Sequence, residues 1–386
     1  MDRNKKLLEE VLSYAKDRGS WSKELLTKNA DIVCAYGTGR YFEDAFIQWG
    51  FKNHFNVKYC CDRNADHGRE IAKKYGITFL DFGELVSLNM TKKVVVILFV
   101  GVSGNDILRD FASKGLYVVT PPDCIFEELC RMPNVPAWFA SNRLMEVYDL
   151  LVDEESKRIF VNILANRMAF HMAEFRIDEM ASDDEYFHLP FLPLSKHEVF
   201  CDCGAYNGDT VEHFLDAVDG KCDYLYAYEM AKENFGLLKK TVARMREKWD
   251  GFTEEKYKLF NAGVWDQKAV LSYGKEERGT GESFGVFKTD NMAYSDAVTI
   301  DETTDRPVTL IKMDIEGAEL NALHGASNVL RGGTLGAPPK LAICLYHRLQ
   351  DFWEIPLYVK SLVPGYKIYV RHHAEGIEGT VMYAIC

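Results

Sequence analysis

Twice along its length this chain runs a short apolar stretch into a glycine turn, continues in a helical pattern, and ends the next apolar stretch in an acid. The first instance is "DIVCAYGTGRYFEDAFIQWG" followed by "NVKYCCDRN", which stops at Asp62. The second is "EVFCDCGAYNGDTVEHFL" followed by "DYLYAYE", which stops at Glu229. Apolar runs that alternate with helical periodicity require a parallel, doubly wound sheet, because both faces of each strand are then covered by helices. Two such series in 386 residues, 47% of them hydrophobic, predict an α/β protein with two sheets.

In the first series the alternation continues through "HGREIAKKYG", "VVVILFVG", "GNDILRDFASKG" and "LYVVTPP", and a leading amphipathic helix precedes Asp31. A smaller Rossmann-like domain is expected over 1–125. Gly37 and Gly39 permit a phosphate to approach a helix N-terminus, and Asp62 stands where it would hold a ribose. The third glycine of a dinucleotide fingerprint is replaced by Phe42, whose bulk hinders close helix–strand packing. Two readings stand for this domain: a nucleotide or nucleotide-sugar site, or a scaffold with a tight turn. Residues 126–197 read as a helical connector ending in the proline-bearing "YFHLPFLPLSKHE".

The second domain is expected over 198–386. Val199 to Cys203 forms its first strand, Gly204, Ala205 and Gly208 its turn, and Asp209-Thr210 the start of a helix. The D-x-G-A-x-x-G loop suits an amino-acid tail better than a pyrophosphate, with Asp202 placed to receive a cationic amine. Glu229 is placed to accept both hydroxyls of an adenosine ribose. In the third strand, "YKLFNAGVWD", Ala262 and Gly263 leave room for a flat adenine. In this order the three features predict a class I S-adenosylmethionine site. The fourth strand, "PVTLIKMDIEGAEL", brings acids to the carboxyl end of the sheet. Strand alternation puts Lys312, Asp314 and Glu316 on one face, and Glu319 falls in a first helical turn, where a carboxylate is favoured in any case.

These stretches, with "SFGVF", "VTIDE", "NALHGA" and the ending "ICLYHRLQDFWEIP…YKIYVRHH…VMYAIC", resemble the FkbM family of S-adenosylmethionine-dependent O-methyltransferases over roughly Asp153 to Cys386. The resemblance implies methyl transfer to a hydroxyl of a sugar, nucleotide sugar, glycan or related natural product. It implies that Asp202, Gly204, Ala205, Gly208, Asp209, Thr210, Glu229, Asn261, Ala262, Ser283 and Asp314 hold the cofactor, with Lys312, Asp314, Glu316 and His347 on the reaction side. The acid usual in the family after the fifth strand is absent, and His347 of "CLYH" takes its place. Two ways of activating the hydroxyl stay open. His347 acts as base, with His372 and His373 next in line, or Asp314, Glu316 and His347 hold magnesium or manganese.

Charge and cysteines narrow the classes further. With 46 basic and 58 acidic side chains the net charge is -12, which argues against a nucleic-acid partner and for a small-molecule or glycan acceptor. The first twenty residues have no apolar core of a signal peptide, and "VVVILFV" is too short to span a membrane. Ten cysteines without C-x-x-C spacing argue against a zinc site and for a reducing, cytoplasmic setting. Oligomeric state is left open. Two rivals remain, an NAD-dependent sugar-modifying oxidoreductase built on Gly37 and Gly39, and a non-catalytic sugar-binding protein with a degenerate methyltransferase fold. The missing third glycine counts against the first, and intact Asp202, Gly204, Gly208 and Glu229 count against the second.

Overall fold

A computed structural model describes residues 2–24, 30–39, 56–99, 113–119, 143–168, 174–175, 177–182, 185–274, 292–333, 336–374 and 378–386, with positions 42, 43, 46, 107, 110 and 111. The chain divides into two compact units. One comprises residues 1–145, 161–179 and 375–377, the other residues 146–160, 180–374 and 378–386.

The first unit opens with the helix Arg3–Glu24. Its five strands are β1 (Ile32–Tyr36), β2 (Tyr59–Cys61), β3 (Thr78–Phe79), β4 (Val94–Leu98) and β5 (Tyr117–Val119). They pair in parallel in the order β3-β2-β1-β4-β5. Every residue of β4 is buried, as a central strand covered on both faces requires. The helix Ala65–Tyr75 starts where the Asn64 side chain accepts the His67 N–H and stops at Gly76 in the left-handed region. Close helix–strand packing is supplied by Gly68, where a Cβ would lie 2.4 Å from the Phe79 ring. Phe42 is itself a core residue, edge-on to Phe99 and 4.6 Å from Phe46 between ring centroids. The helices expected near 40–50 and 104–115 lie largely outside the described residues; positions 42, 43, 46, 107, 110, 111 and 113 are helical, and Lys114 and Gly115 form a turn.

The second unit holds β6 (Val199–Cys203), β7 (Tyr224–Tyr228), β8 (Tyr257–Phe260), β9 (Gly263–Val264), β10 (Ala269–Gly274), β11 (Met292–Val298), β12 (Leu310–Met313), β13 (Lys340–Cys344), β14 (Lys367–His372) and β15 (Thr380–Ile385). Seven of them form one sheet in the order β14-β15-β13-β12-β6-β7-β8. The five from β8 to β13 are parallel, and β15 runs antiparallel to both β13 and β14. This is the class I methyltransferase sheet, with the strand order reversing between β6 and β12. Phe200, Phe214, Leu225, Leu238 and Leu310 meet in its core.

Two local expectations change. The third strand is two: β8 stays in the main sheet, while β9 joins β10 and β11 in a separate three-stranded sheet, which the sequence reading did not anticipate. The fourth strand ends at Met313, so Glu316 is not on a strand face with Lys312. The Ile315 N–H bonds the Glu319 side chain at 2.9 Å, and the chain turns at Glu316 with φ 57°.

Candidate active site

The glycine turn after β6 is held from two sides. The N–H groups of Gly204 and Ala205 both donate to the Tyr228 carbonyl, at 3.0 and 2.9 Å. Gly204 has φ 78°, and a Cβ there would sit 1.9 Å from the Asp314 carbonyl oxygen, so no other residue fits between β6 and the end of β12. Gly208, also in the left-handed region, presses on Thr241 and precedes the helix Asp209–Ala217. Asp209 accepts the Thr210 N–H at 2.7 Å.

Glu229 follows β7 and lies almost wholly buried. Its Oε2 accepts the Tyr206 N–H at 2.9 Å and its Oε1 the Ala231 N–H at 2.7 Å. A carboxylate offers about four acceptor directions, so these two bonds aim the group and are compatible with ribose hydroxyls as further donors. The Asn261 amide donates to the carbonyls of Glu229 and Met230, and Ala262 is buried beside it. Ser283, with the "SFGVF" stretch, lies outside the described residues.

Asp202 and Lys312 face each other across β6 and β12, whose register pairs the two residues. Lys312 Nζ lies 3.2 Å from Asp202 Oδ1 and donates to the Gly204 carbonyl at 2.8 Å, with both side chains buried. The cation beside Asp202 is therefore a lysine of the chain itself. Burial raises the Asp202 pKa, with the Lys312 charge opposing that shift. Burial likewise works against the Lys312 charge, yet Asp202 and Asp314 hold its pKa above the usual lysine value. The two shifts pull in opposite senses about the protonation of one pair. We take the pair as ionised, because Lys312 also bonds a backbone carbonyl in its charged form.

Past the end of β12 lies a second cluster. Asp314 Oδ1 accepts the Tyr346 hydroxyl at 2.8 Å and lies 3.3 Å from His347 Nε2. Glu316 Oε2 is 3.6 Å from the same nitrogen, and Glu319 Oε1 is 2.9 Å from His347 Nδ1. His347 does not end β13 but follows it by three residues. Burial lowers the pKa of the ring, but the three carboxylates overcome it and raise it to about 9. Asp351, at the start of the helix Asp351–Leu362, is pushed up to about 8 by burial and by the Glu319 charge. Glu319, expected from sequence only as a favourable helix start, is thus also the partner of His347 Nδ1, and Asp351 was not named from sequence. The wholly acidic spacing of "DIEGAE" was the available signal for Glu319. Trp353 is buried in the same helix.

His372 and His373 are engaged elsewhere. His372 Nδ1 lies 2.9 Å from the Thr380 hydroxyl, and His373 contacts the Ser182 carbonyl and the Tyr383 hydroxyl. In the first unit, Asp62 Oδ2 accepts the Thr38 N–H and hydroxyl at 2.6 and 2.7 Å, and its Oδ1 accepts the Asn64 N–H. The acid expected to meet a ribose there closes its own turn.

Residues 202–335 match the family model described as the methyltransferase FkbM domain. Over the full length, the fold is similar to that of the crystallised FkbM methyltransferase of Methylobacillus flagellatus KT. The two are 20% identical, the match covers 98% of this chain and 99% of that one, and the TM-score is 0.71. At that identity the likeness speaks for the fold alone. An rRNA methylase from Streptococcus thermophilus is 14% identical over 54% of this chain and 89% of its own, with a TM-score of 0.29. Aeropyrum pernix fibrillarin, solved with bound S-adenosyl-L-methionine, is 14% identical over 52% and 71%, with a TM-score of 0.33. Those two likenesses are too slight to carry an argument. No curated protein sequence matches the chain. No helix among the described residues is long and apolar enough to cross a membrane.

Proposed function

We propose that this protein transfers a methyl group from S-adenosylmethionine to a hydroxyl of a sugar, glycan or related small molecule. One observation carries the reading. The turn aimed by Glu229 and the acidic turn at Asp314 touch each other at the carboxyl ends of β6 and β12, where open parallel sheets bind ligands. Glu229, the backbone of residues 204–208, Asn261 and Ala262 hold the cofactor. Asp202 acts through Lys312, which fixes the Gly204 carbonyl and so the shape of the turn. When bound, the cofactor supplies a methyl group on a cationic sulfur, which keeps the electron pair of the broken bond.

The chain's own work is to place the hydroxyl in line and take its proton. Asp314 and Glu316 are the partly exposed carboxylates of the cluster, 30% and 43% accessible at their side chains, and they receive the hydroxyl. Without an ion at the cluster, a pKa of about 9 keeps a proton on His347 at neutral pH, and the ring then reinforces the acids instead of acting as a free base. Acids at the mouth favour a neutral, hydroxyl-rich acceptor over a phosphorylated one. Incubation with isotopically labelled S-adenosylmethionine and a panel of sugars, nucleotide sugars and glycans tests this. One acceptor should gain a single labelled methyl on oxygen. Failure of the cofactor to bind by calorimetry would overturn the reading.

A further inference from the structure

His347 has a carboxylate at each end of its ring. Glu319 meets Nδ1 at 2.9 Å, while Asp314 and Glu316 meet Nε2 at 3.3 and 3.6 Å. The imidazole is 8% exposed, and neither ring nitrogen has the alignment of a hydrogen bond. Glu319, fully buried, leaves Oε2 without a hydrogen bond as well. Buried polar atoms in folded proteins are nearly always bonded, so Nε2, which faces two partly exposed carboxylates without an aligned hydrogen bond, calls for a further partner. Glu316 turns the chain at φ 57°, and its carboxylate lies 3.6 Å from Nε2.

We propose that Asp314, Glu316 and His347 Nε2 bind one divalent cation of the manganese type, with Glu319 orienting the ring through Nδ1. A carboxylate on one imidazole nitrogen and a metal on the other is the usual second-shell arrangement of a ligating histidine. An octahedral ion about 2.1 Å from each donor, with adjacent ligands near 90°, separates them by about 3.0 Å, so the Nε2 distances of 3.3 and 3.6 Å need only a small inward shift of the two carboxylates. The Tyr346 hydroxyl, 2.8 Å from Asp314 Oδ1, holds that carboxylate in place. Two carboxylates and one imidazole suit manganese better than calcium, which takes more oxygen ligands, and the imidazole favours manganese over magnesium. The partial exposure of Asp314 and Glu316 leaves the ion open toward solvent. An acceptor hydroxyl bound there would become more acidic before a carboxylate takes its proton. That last role rests on the methyl-transfer reading; the binding of the ion does not.

The test uses the full chain after dialysis against chelator. Manganese is titrated in, and loss of the free-ion electron paramagnetic resonance signal reports binding. Calorimetry with S-adenosylmethionine runs in parallel without metal. Wild type should take up one manganese ion per chain. Glu316→Gln, a change at a partly exposed turn that should leave the fold intact, should weaken uptake tenfold or more, and His347→Gln at least as much. Glu319→Gln should weaken it by about ten- to a hundredfold, the range for losing an orienting partner. No uptake at millimolar manganese, or uptake indifferent to Glu316→Gln and His347→Gln, overturns the proposal. Ion binding without cofactor binding would instead sustain the site and sink the methyl-transfer reading.

Discussion

The two glycine turns of this protein are built alike and end differently. In each, the acid after the second strand reaches back and fixes the turn after the first. Asp62 holds Thr38 and Asn64, and Glu229 holds Tyr206 and Ala231. The contrast lies in the strand on the other side. Beside β1, strand β4 is apolar to its end and continues into buried Phe99. Beside β6, strand β12 carries Lys312 into the core and delivers Asp314 and the acidic turn. A tight turn with an acid is a general way to close an α/β unit. Beside β6 the neighbouring strand, across the reversal of strand order, also brings charge to the same edge, where open α/β sheets bind ligands.

The sharpest test of that contrast is Lys312→Met. It leaves Asp202 buried without its cation, and breaking such a pair costs about 3–5 kcal/mol. Denaturant unfolding of the second unit should show this loss at neutral pH and a smaller one in acid, where Asp202 takes up a proton. A loss below about 1 kcal/mol at neutral pH would mean that the pair does not matter to the turn.

Next comes a paired substitution. Gly204→Ala drives a methyl into the Asp314 carbonyl at a backbone angle that favours glycine, and should cost about 2–4 kcal/mol and abolish cofactor binding. Gly39→Ala meets nothing within 4 Å and should stay within about 0.5 kcal/mol of wild type. Equal effects would erase the distinction between the turns.

The smallest effect separates the turns by pH, in chelator. Burial raises the Asp62 pKa, but the bonds from Thr38 and Asn64 lower it overall. Its contribution is therefore present above the ordinary carboxylate pKa and is lost as pH falls through the lower folded value. His347 is the reverse case. Its folded pKa of about 9 exceeds the unfolded value, so its contribution is complete below about 6.5 and is lost as pH rises through 9. Asp351, raised from the ordinary carboxylate value to about 8, adds a loss that runs from about pH 4 up to 8, below and overlapping the His347 range. Hydrogen-exchange protection, corrected for intrinsic rates, should fall around Thr38 in acid and around residues 314–351 toward pH 9. His347→Gln should flatten the alkaline limb. An unchanged limb would place the titration elsewhere.

Local pattern was sufficient for the elements. Apolar runs, glycines and acids at strand ends told where β1, β4, β6, β7 and β13 lie and that acids come to the edge near Asp314, because burial on both faces and the left-handed turn are demands each segment makes by itself. Partnership across the sheet was not legible. That Asp202 meets Lys312 follows from β6 and β12 lying side by side in register, although 110 residues separate the pair. Glu319 at His347 Nδ1, Asp351 behind it, and the commitment of His372 and His373 to Thr380, Ser182 and Tyr383 depend on which loops close over the same strand end. Periodicity along the chain sets which way a side chain faces. What it meets there is decided by long-range packing, and so the sequence pointed to the acids of β12, while only the tertiary structure showed them gathered around one imidazole.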